Sequence, residues 1–369
     1  METAIQLLQE QFGAEFGADA VRSVASQINT SYATLSKKLS QYKVSRGKWN
    51  LEITKEKLDE LEDTYSAPAA EPITMIEAVK QNLIPDKDDT FVSFGNFTDI
   101  KKIIQSGLFY PAFITGLSGN GKTFGVEQAC AQLGRELIRV NITIETYADD
   151  LIGGFRLLDG ETVWHNGPVI EALQRGAILL LDEIDLASNK ILCLQSILEG
   201  KGIFLKKICK FVKPSAGFNI FATANTKGKG SDDGRFIGTN VLNSAMLDRF
   251  PIMMEQAYPT FAIEVKILTK VAEKLNIPMV KEHEDFINHL CTWSEIVRKT
   301  FTDGGIDEVI STRRLVHILK AYSIFGKKSK AINLCLSGFD DETKTCFVEL
   351  YDKIDAEFLN VEERENCLN

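Results

Sequence analysis

Gly116-Leu117-Ser118-Gly119-Asn120-Gly121-Lys122-Thr123 is a complete G-x-x-x-x-G-K-[ST] phosphate loop, and the sequence on either side supplies the context that loop requires. An apolar run, Phe109 to Thr115, precedes it as an expected strand, and a helical pattern, Phe124 to Leu133, follows. Glycines at 116, 119 and 121 let backbone N–H groups turn inward around phosphate oxygens. The start of the next helix adds its partial positive charge. Lys122 is expected to reach the β- and γ-phosphates, and the Thr123 hydroxyl to ligate Mg²⁺. A chance Lys-Thr in a Gly-rich turn is the plain alternative, and the residues downstream disfavour it. The loop reads as a nucleoside triphosphate site.

The second constellation is Ala177-Ile-Leu-Leu-Leu-Asp-Glu-Ile184, a run fit for a strand buried on both faces. Its two carboxylates emerge at the carboxyl end, where open α/β sheets hold their ligands. Asp182 is suited to hold Mg²⁺, and Glu183 to polarise an attacking water. The alternative is a core strand capped by solvated acids. A third strand, Phe218 to Ala224, ends at Asn225, an amide able to orient that water or merely to form a turn. Arg249 follows a short helical turn in Asn243-Ser-Ala-Met-Leu-Asp-Arg-Phe250, and Ser311-Thr-Arg-Arg314 opens a helix from Leu315 to Ile324. Two separate arginines beyond a phosphate-loop core suggest one supplied by a neighbouring subunit and one by the chain's own lid. A surface ion pair is the commoner role of either.

Three segments separate along the chain. Residues 1–65 form a helical amino-terminal module, and residues 66–72, Ser-Ala-Pro-Ala-Ala-Glu-Pro, form a linker. Residues 73–258 alternate short apolar runs with helical patterns, as in an α/β domain with a mainly parallel sheet. Residues 259–350 read as a small all-α lid domain, and 351–369 as a polar tail. The 369 residues carry a net charge of −9, which suits solubility and disfavours wholesale coating of nucleic acid. No apolar run reaches membrane-spanning length and the amino terminus lacks signal-peptide character, so no membrane partner is expected. Seven cysteines without a C-x-x-C pair argue against a disulfide framework or zinc site, and the economical setting is cytoplasmic.

Taken together, these motifs resemble the AAA+ ATPases, and within them the MoxR-like group and the small ATPase subunit of aerobic cobaltochelatase. The resemblance spans about residues 95–350. It implies that Gly116 to Thr123 is Walker A, binding ATP with Mg²⁺, and that Leu179 to Glu183 is Walker B. Asn225 would be sensor 1, Arg249 the arginine finger and Arg313 sensor 2. Thr312 stands where family members usually have proline, and Arg314 makes the sensor 2 assignment ambiguous. Asp149 to Gly153 through Thr162 to Pro168 looks like a hairpin inserted in the second helix of that group. The implied assembly is a homo-oligomer, a hexameric ring with ATP at each subunit interface, acting on a protein client or partner subunit. Nothing in the chain offers a tetrapyrrole pocket or a cobalt ligand set, so the resemblance does not carry chelatase activity with it.

The amino-terminal module has a signal of its own. Val24 to Asn29 followed by Thr30 to Leu39 has helix-turn-helix spacing, with Asn29 at the turn and Ala25, Ile28, Leu35 and Leu39 inward. From Ser31 to Lys48 there are five basic residues (Lys37, Lys38, Lys43, Arg46, Lys48) and no acid. Ser45-Arg-Gly-Lys-Trp49 reads as a hairpin tip able to reach phosphates. A helical protein-docking module with a solvated basic face explains the same pattern. Two function classes follow: an ATP-driven remodeller of a partner protein, or an ATPase recruited to DNA through residues 31–48.

Overall fold

A computed structural model describes residues 2–45, 48–51, 82–158, 160–230 and 238–355. The chain divides into two units, residues 1–81 and 82–369. The linker at 66–72 and the amphipathic stretch Ile53 to Tyr65 lie outside the described residues.

The first unit runs α1 (Glu2–Phe12), β1 (Glu15–Gly17), α2 (Ala18–Gln27), α3 (Tyr32–Lys38), β2 (Lys43–Ser45) and β3 (Lys48–Asn50). Asn29 takes a left-handed conformation, φ 53°, in the turn between α2 and α3. Ser31 caps α3 by accepting from the Thr34 N–H at 3.2 Å. Ala25, Leu35 and Leu39 are buried with Val21, Val24 and Trp49, and Ile28 packs at the edge of this core. Beside the expected helices stands a three-stranded antiparallel sheet ordered β1-β3-β2. At three residues each, its strands are too short for an alternating pattern to announce them.

The second unit begins its regular structure with α4 (Phe97–Ser106), β4 (Ala112–Thr115), α5 (Lys122–Leu133), β5 (Leu137–Asn141) and α6 (Ala148–Ile152). Next come the hairpin β6 (Gly153–Leu158) and β7 (Glu161–Asn166), α7 (Pro168–Arg175), β8 (Ile178–Asp182) and α8 (Gln195–Leu198). The hairpin β9 (Ile203–Leu205) and β10 (Lys210–Val212) precedes β11 (Asn219–Ala224), α9 (Ser244–Leu247) and β12 (Ile252–Glu255). The lid is helical: α10 (Phe261–Lys274), α11 (Lys281–Thr302), α12 (Thr312–Phe325), α13 (Lys328–Leu336) and α14 (Asp341–Ile354).

The central sheet is parallel throughout, in the order β12-β4-β11-β8-β5. Residues alternate between its faces: Phe113, Leu179, Leu181 and Ile220 join one apolar cluster, while Ile114, Ile178, Leu180 and Phe221 join the other. Helices cover both faces, which explains why these strands read as unbroken apolar runs. Strand β4 starts at Ala112 rather than Phe109, because Pro111 has no N–H to offer the ladder. Phe109 stacks instead on Phe218, ring centroids 5.9 Å apart. The last helix continues to Ile354, past the expected start of the tail, because Tyr351 is buried edge-on against Trp293 at 5.3 Å. Register carries the ends of β4, β8 and β11 to one edge of the sheet, where the chain enters the residues of interest.

Candidate nucleotide-binding and catalytic site

The loop after β4 folds around its own lysine. Lys122 Nζ donates to the Gly116 carbonyl at 2.6 Å and the Leu117 carbonyl at 2.9 Å, and to Asn225 Oδ1 at 3.2 Å. Burial lowers its pKa to about 8. The negative charges of Asp185, Asp182 and Glu183 pull against that shift, and Arg313 adds to it. Gly116 is required: at φ 145°, a Cβ there would come within 2.3 Å of the Gln256 carbonyl oxygen. The Asn120 amide ties the loop to that same carbonyl, and the Tyr258 hydroxyl donates to the Ser118 carbonyl at 2.7 Å. The helix α5 begins at Lys122, so Lys122 and Thr123 sit in its first turn rather than before it.

Thr123 Oγ1 donates to Asp182 Oδ1 at 2.7 Å. The hydroxyl of Thr223, on neighbouring β11, donates to that same oxygen and accepts from the Glu183 N–H at 3.2 Å. Arg139 on β5 pairs with Asp182 Oδ2 and with Glu127. Thr123 and Asp182 therefore present hard oxygen donors at one point. A divalent cation held there would complete its shell with phosphate oxygens and water, which suits Mg²⁺. Glu183 follows in the left-handed region, φ 58°, with an exposed side chain at the mouth of the phosphate cleft.

Asp185 is fully buried behind this cleft. Its Oδ2 accepts from the backbone N–H of Asn225 and of Thr226, both at 2.9 Å. One carboxylate thus holds the end of β11 and, through it, the Asn225 amide beside Lys122. The sequence shows the acid but not its role, which depends on a strand end forty residues away.

The lid closes the other side. Ser311 caps α12, and Arg313 lines the phosphate cleft with Gly119, Lys122, Glu183 and Asn225. Arg314 points into the lid instead, donating to the Cys335 carbonyl and lying 4.2 Å from the Phe339 ring centre. That difference separates the two adjacent arginines. Gly119 lies so close to the lid that a Cβ on it would meet Ser311 Cβ at 2.7 Å. Thr312, which stands where the resembled family usually has proline, donates to buried Glu264 at 2.6 Å, and Arg298 grips the same carboxylate with two nitrogens. The Arg298 guanidinium lies 4.1 Å from the ring centre of Tyr258, linking this pair to Ser118.

The cleft has two halves. The phosphate half, about 300 Å³, is polar. It continues past Gly119 and Arg313 into an apolar half of about 700 Å³, lined by Phe91, Phe97, Ile100, Val271, Leu275 and Val316 among others. Phe91 packs against Phe97 and edge-on against Phe124, at 4.8 and 5.4 Å. A nucleobase suits this half. No sequence motif marked it.

Arg249 stands apart from the cleft. It follows α9, donates through Nε to Glu199 Oε1 at 2.9 Å, and is absent from the described lining of either half. Phe250 behind it is buried edge-on against Phe113, which anchors the arginine at this corner. His165 lies on β7 of the inserted hairpin, and no group of three metal-ligating side chains occurs among the described residues. No helix among them is long and apolar enough to cross a membrane.

Residues 111–250 match the AAA domain of the dynein-related subfamily. The chain is 26% identical over 269 residues to the aerobic cobaltochelatase subunit CobS of Sinorhizobium sp, across 71% of this chain and 77% of that one. It is 32% identical over 162 residues to protein NorQ of Paracoccus denitrificans, across 43% and 57% of the two chains. Among solved structures, the RuvB Holliday junction branch migration motor of Thermotoga maritima aligns at 16% identity and a TM-score of 0.40, covering 76% of this chain and 93% of that one. With its phosphate loop, acidic strand end and helical lid, this chain is an ATPase built on an AAA domain, and it is similar to the CobS and NorQ proteins.

Proposed function

We propose that this chain is the motor subunit of a ring, a hexamer by the family's precedent, that uses ATP to remodel a partner protein. In this reading Lys122 neutralises phosphate charge, and Thr123 and Asp182 would hold Mg²⁺, which would supply charge stabilisation to the reacting phosphates. Glu183 takes the proton of the attacking water, Asn225 orients that water, and Arg313 senses the γ-phosphate from the lid. The observation that carries the assembly is Arg249: it sits on Glu199, outside the cleft of its own chain. An arginine at such a corner serves the nucleotide of an adjacent copy, so a lone chain has an incomplete site. The client is a protein, in keeping with the cobaltochelatase relative being one subunit of a larger enzyme. The hairpin β6–β7, with Phe155 and Leu157 exposed, offers it an apolar contact.

The test is ATP hydrolysis per chain against protein concentration, with Arg249→Ala and Glu183→Gln measured singly and mixed. Hydrolysis is expected to rise as rings form and to fall about 10³–10⁵-fold in Arg249→Ala. The mixture regains activity, because some neighbouring pairs then hold one intact interface. Concentration-independent hydrolysis by a monomer would refute the shared site.

A further inference from the structure

The first unit carries an order of elements, helix, strand, helix, turn, helix and hairpin, in which the hairpin's second strand pairs with the strand that precedes α2. This braces α2 and α3 against one small sheet and sets the hairpin on the same unit as a wing. The inward sides of α3 and the hairpin are spoken for: Leu35, Leu39 and Trp49 are 2%, 0% and 2% exposed. The outward side of α3 presents Ala33, Thr34, Lys37 and Lys38, and the hairpin adds exposed Lys43 and Lys48. Arg46 belongs to the same stretch but lies outside the described residues.

Charge is what sets this surface apart. From Ala20 through Leu51 the sequence has six basic residues and no Asp or Glu, in a chain of net charge −9. None of Lys37, Lys38, Lys43 and Lys48 has a carboxylate partner among the described residues, whereas lysines of the second unit such as Lys201, Lys207 and Lys227 do. Among the described residues of the first unit the acids are Glu2, Glu10, Glu15 and Asp19, and all precede the second turn of α2; the sequence resumes acids only at Glu52, after the hairpin. A packed core that leaves only small and cationic side chains on one short helix is complementary to a regular polyanion. The geometry points to double-stranded DNA as the partner of this surface. We propose that α3 enters the major groove while Lys43 and Lys48 of the hairpin meet the flanking phosphates. A helix with its side chains is about 10–12 Å across, which the roughly 12 Å major groove of B-form DNA admits. The deep, narrow major groove of duplex RNA does not.

The experiment uses the full chain and a mixed-sequence DNA duplex of about 30 base pairs, followed by fluorescence anisotropy between about 50 and 200 mM salt. Binding with an affinity on the order of 10⁻⁴–10⁻⁶ M at the higher salt is expected without a preferred sequence. Replacing Lys37, Lys38 and Lys43 by Ala should weaken binding at every sequence. It should also flatten the slope of log affinity against log salt by about one for each phosphate no longer neutralised. ATP hydrolysis in that variant stays at the wild-type rate, which shows the ring motor intact and separates this proposal from the preceding one. A parallel variant, Lys206→Ala with Lys207→Ala on the β9–β10 turn, should leave DNA binding in place. Three results overturn the proposal. One is a full chain that leaves the duplex free even at low salt, which makes the unit a protein-docking module. Another is binding abolished by replacing Lys206 and Lys207 rather than the first unit's lysines. The third is equal affinity for duplex RNA.

Discussion

The two halves of the nucleotide cleft are built on opposite plans. The phosphate half comes from three strand ends of one sheet and is held by hydrogen bonds that link Lys122 to Asn225, and Thr123 and Thr223 to Asp182. Lys122 alone engages Gly116, Leu117 and Asn225. The apolar half comes from residues near 91–100, 267–275 and 312–320, brought together only when the lid sits on the core. On the proposed function, one half is preorganised for chemistry and the other is assembled for recognition. The division teaches that turnover and affinity should respond to different residues.

The sharpest way to break that division is Glu183→Gln. On the proposed role its carboxylate takes the proton of the attacking water, so turnover should fall about 10²–10⁴-fold. ATP affinity should stay close to wild type, read by single-turnover kinetics beside equilibrium binding. A variant that hydrolysed ATP at the wild-type rate would remove Glu183 from the chemistry.

A smaller effect, in the opposite compartment, comes from Phe91→Ala. Loss of this ring from the apolar half should weaken ATP binding about tenfold. The rate at saturating ATP should hold. If the rate fell while affinity held, the two halves would be mechanically one.

The smallest effect is a pH dependence. Lys122 in the free site has its pKa lowered to about 8 by burial, while bound phosphates favour its charged form. Binding above that pH therefore takes up a proton. ATP affinity should be flat below about pH 8 and fall by at most tenfold per unit above it. Proton uptake measured by calorimetry in buffers of different ionisation enthalpy checks the sign. Affinity that rose with pH would contradict the burial of the free lysine.

The phosphate half was legible in the sequence because each part is local. Strand, glycine loop and helix follow one another, and Asp182-Glu183 sits on its own apolar run. What joins those parts was not legible. Thr223 and Asp185 look like ordinary strand-end residues until parallel register brings β11 beside β8. Arg139 on Asp182 is likewise a product of pairing between β5 and β8. The apolar half left no trace, since Phe91, Val271 and Val316 read as core residues of three separate segments. Arg313 and Arg314 were indistinguishable in the chain because adjacent helical positions differ only in direction, and direction is settled by what packs behind them. The small sheet of the first unit was announced only at its hairpin, where Lys43 and Lys48 flank a polar tip.

The absence of a side chain at Gly119 gives the lid a fulcrum. The first residues of α12 rest directly on the phosphate loop at Ser311, with no room for so much as a methyl group between them. The helix that starts there has 14 residues and so extends about 21 Å. Treated as a rigid lever with its pivot one turn of about 5.4 Å in, it would turn a displacement of about 1 Å at the loop into roughly 3 Å at Phe325. Ile324 and Phe325 are exposed at that far end. The reach of any movement of this helix over the loop is therefore set by the distance between a glycine and the helix tip.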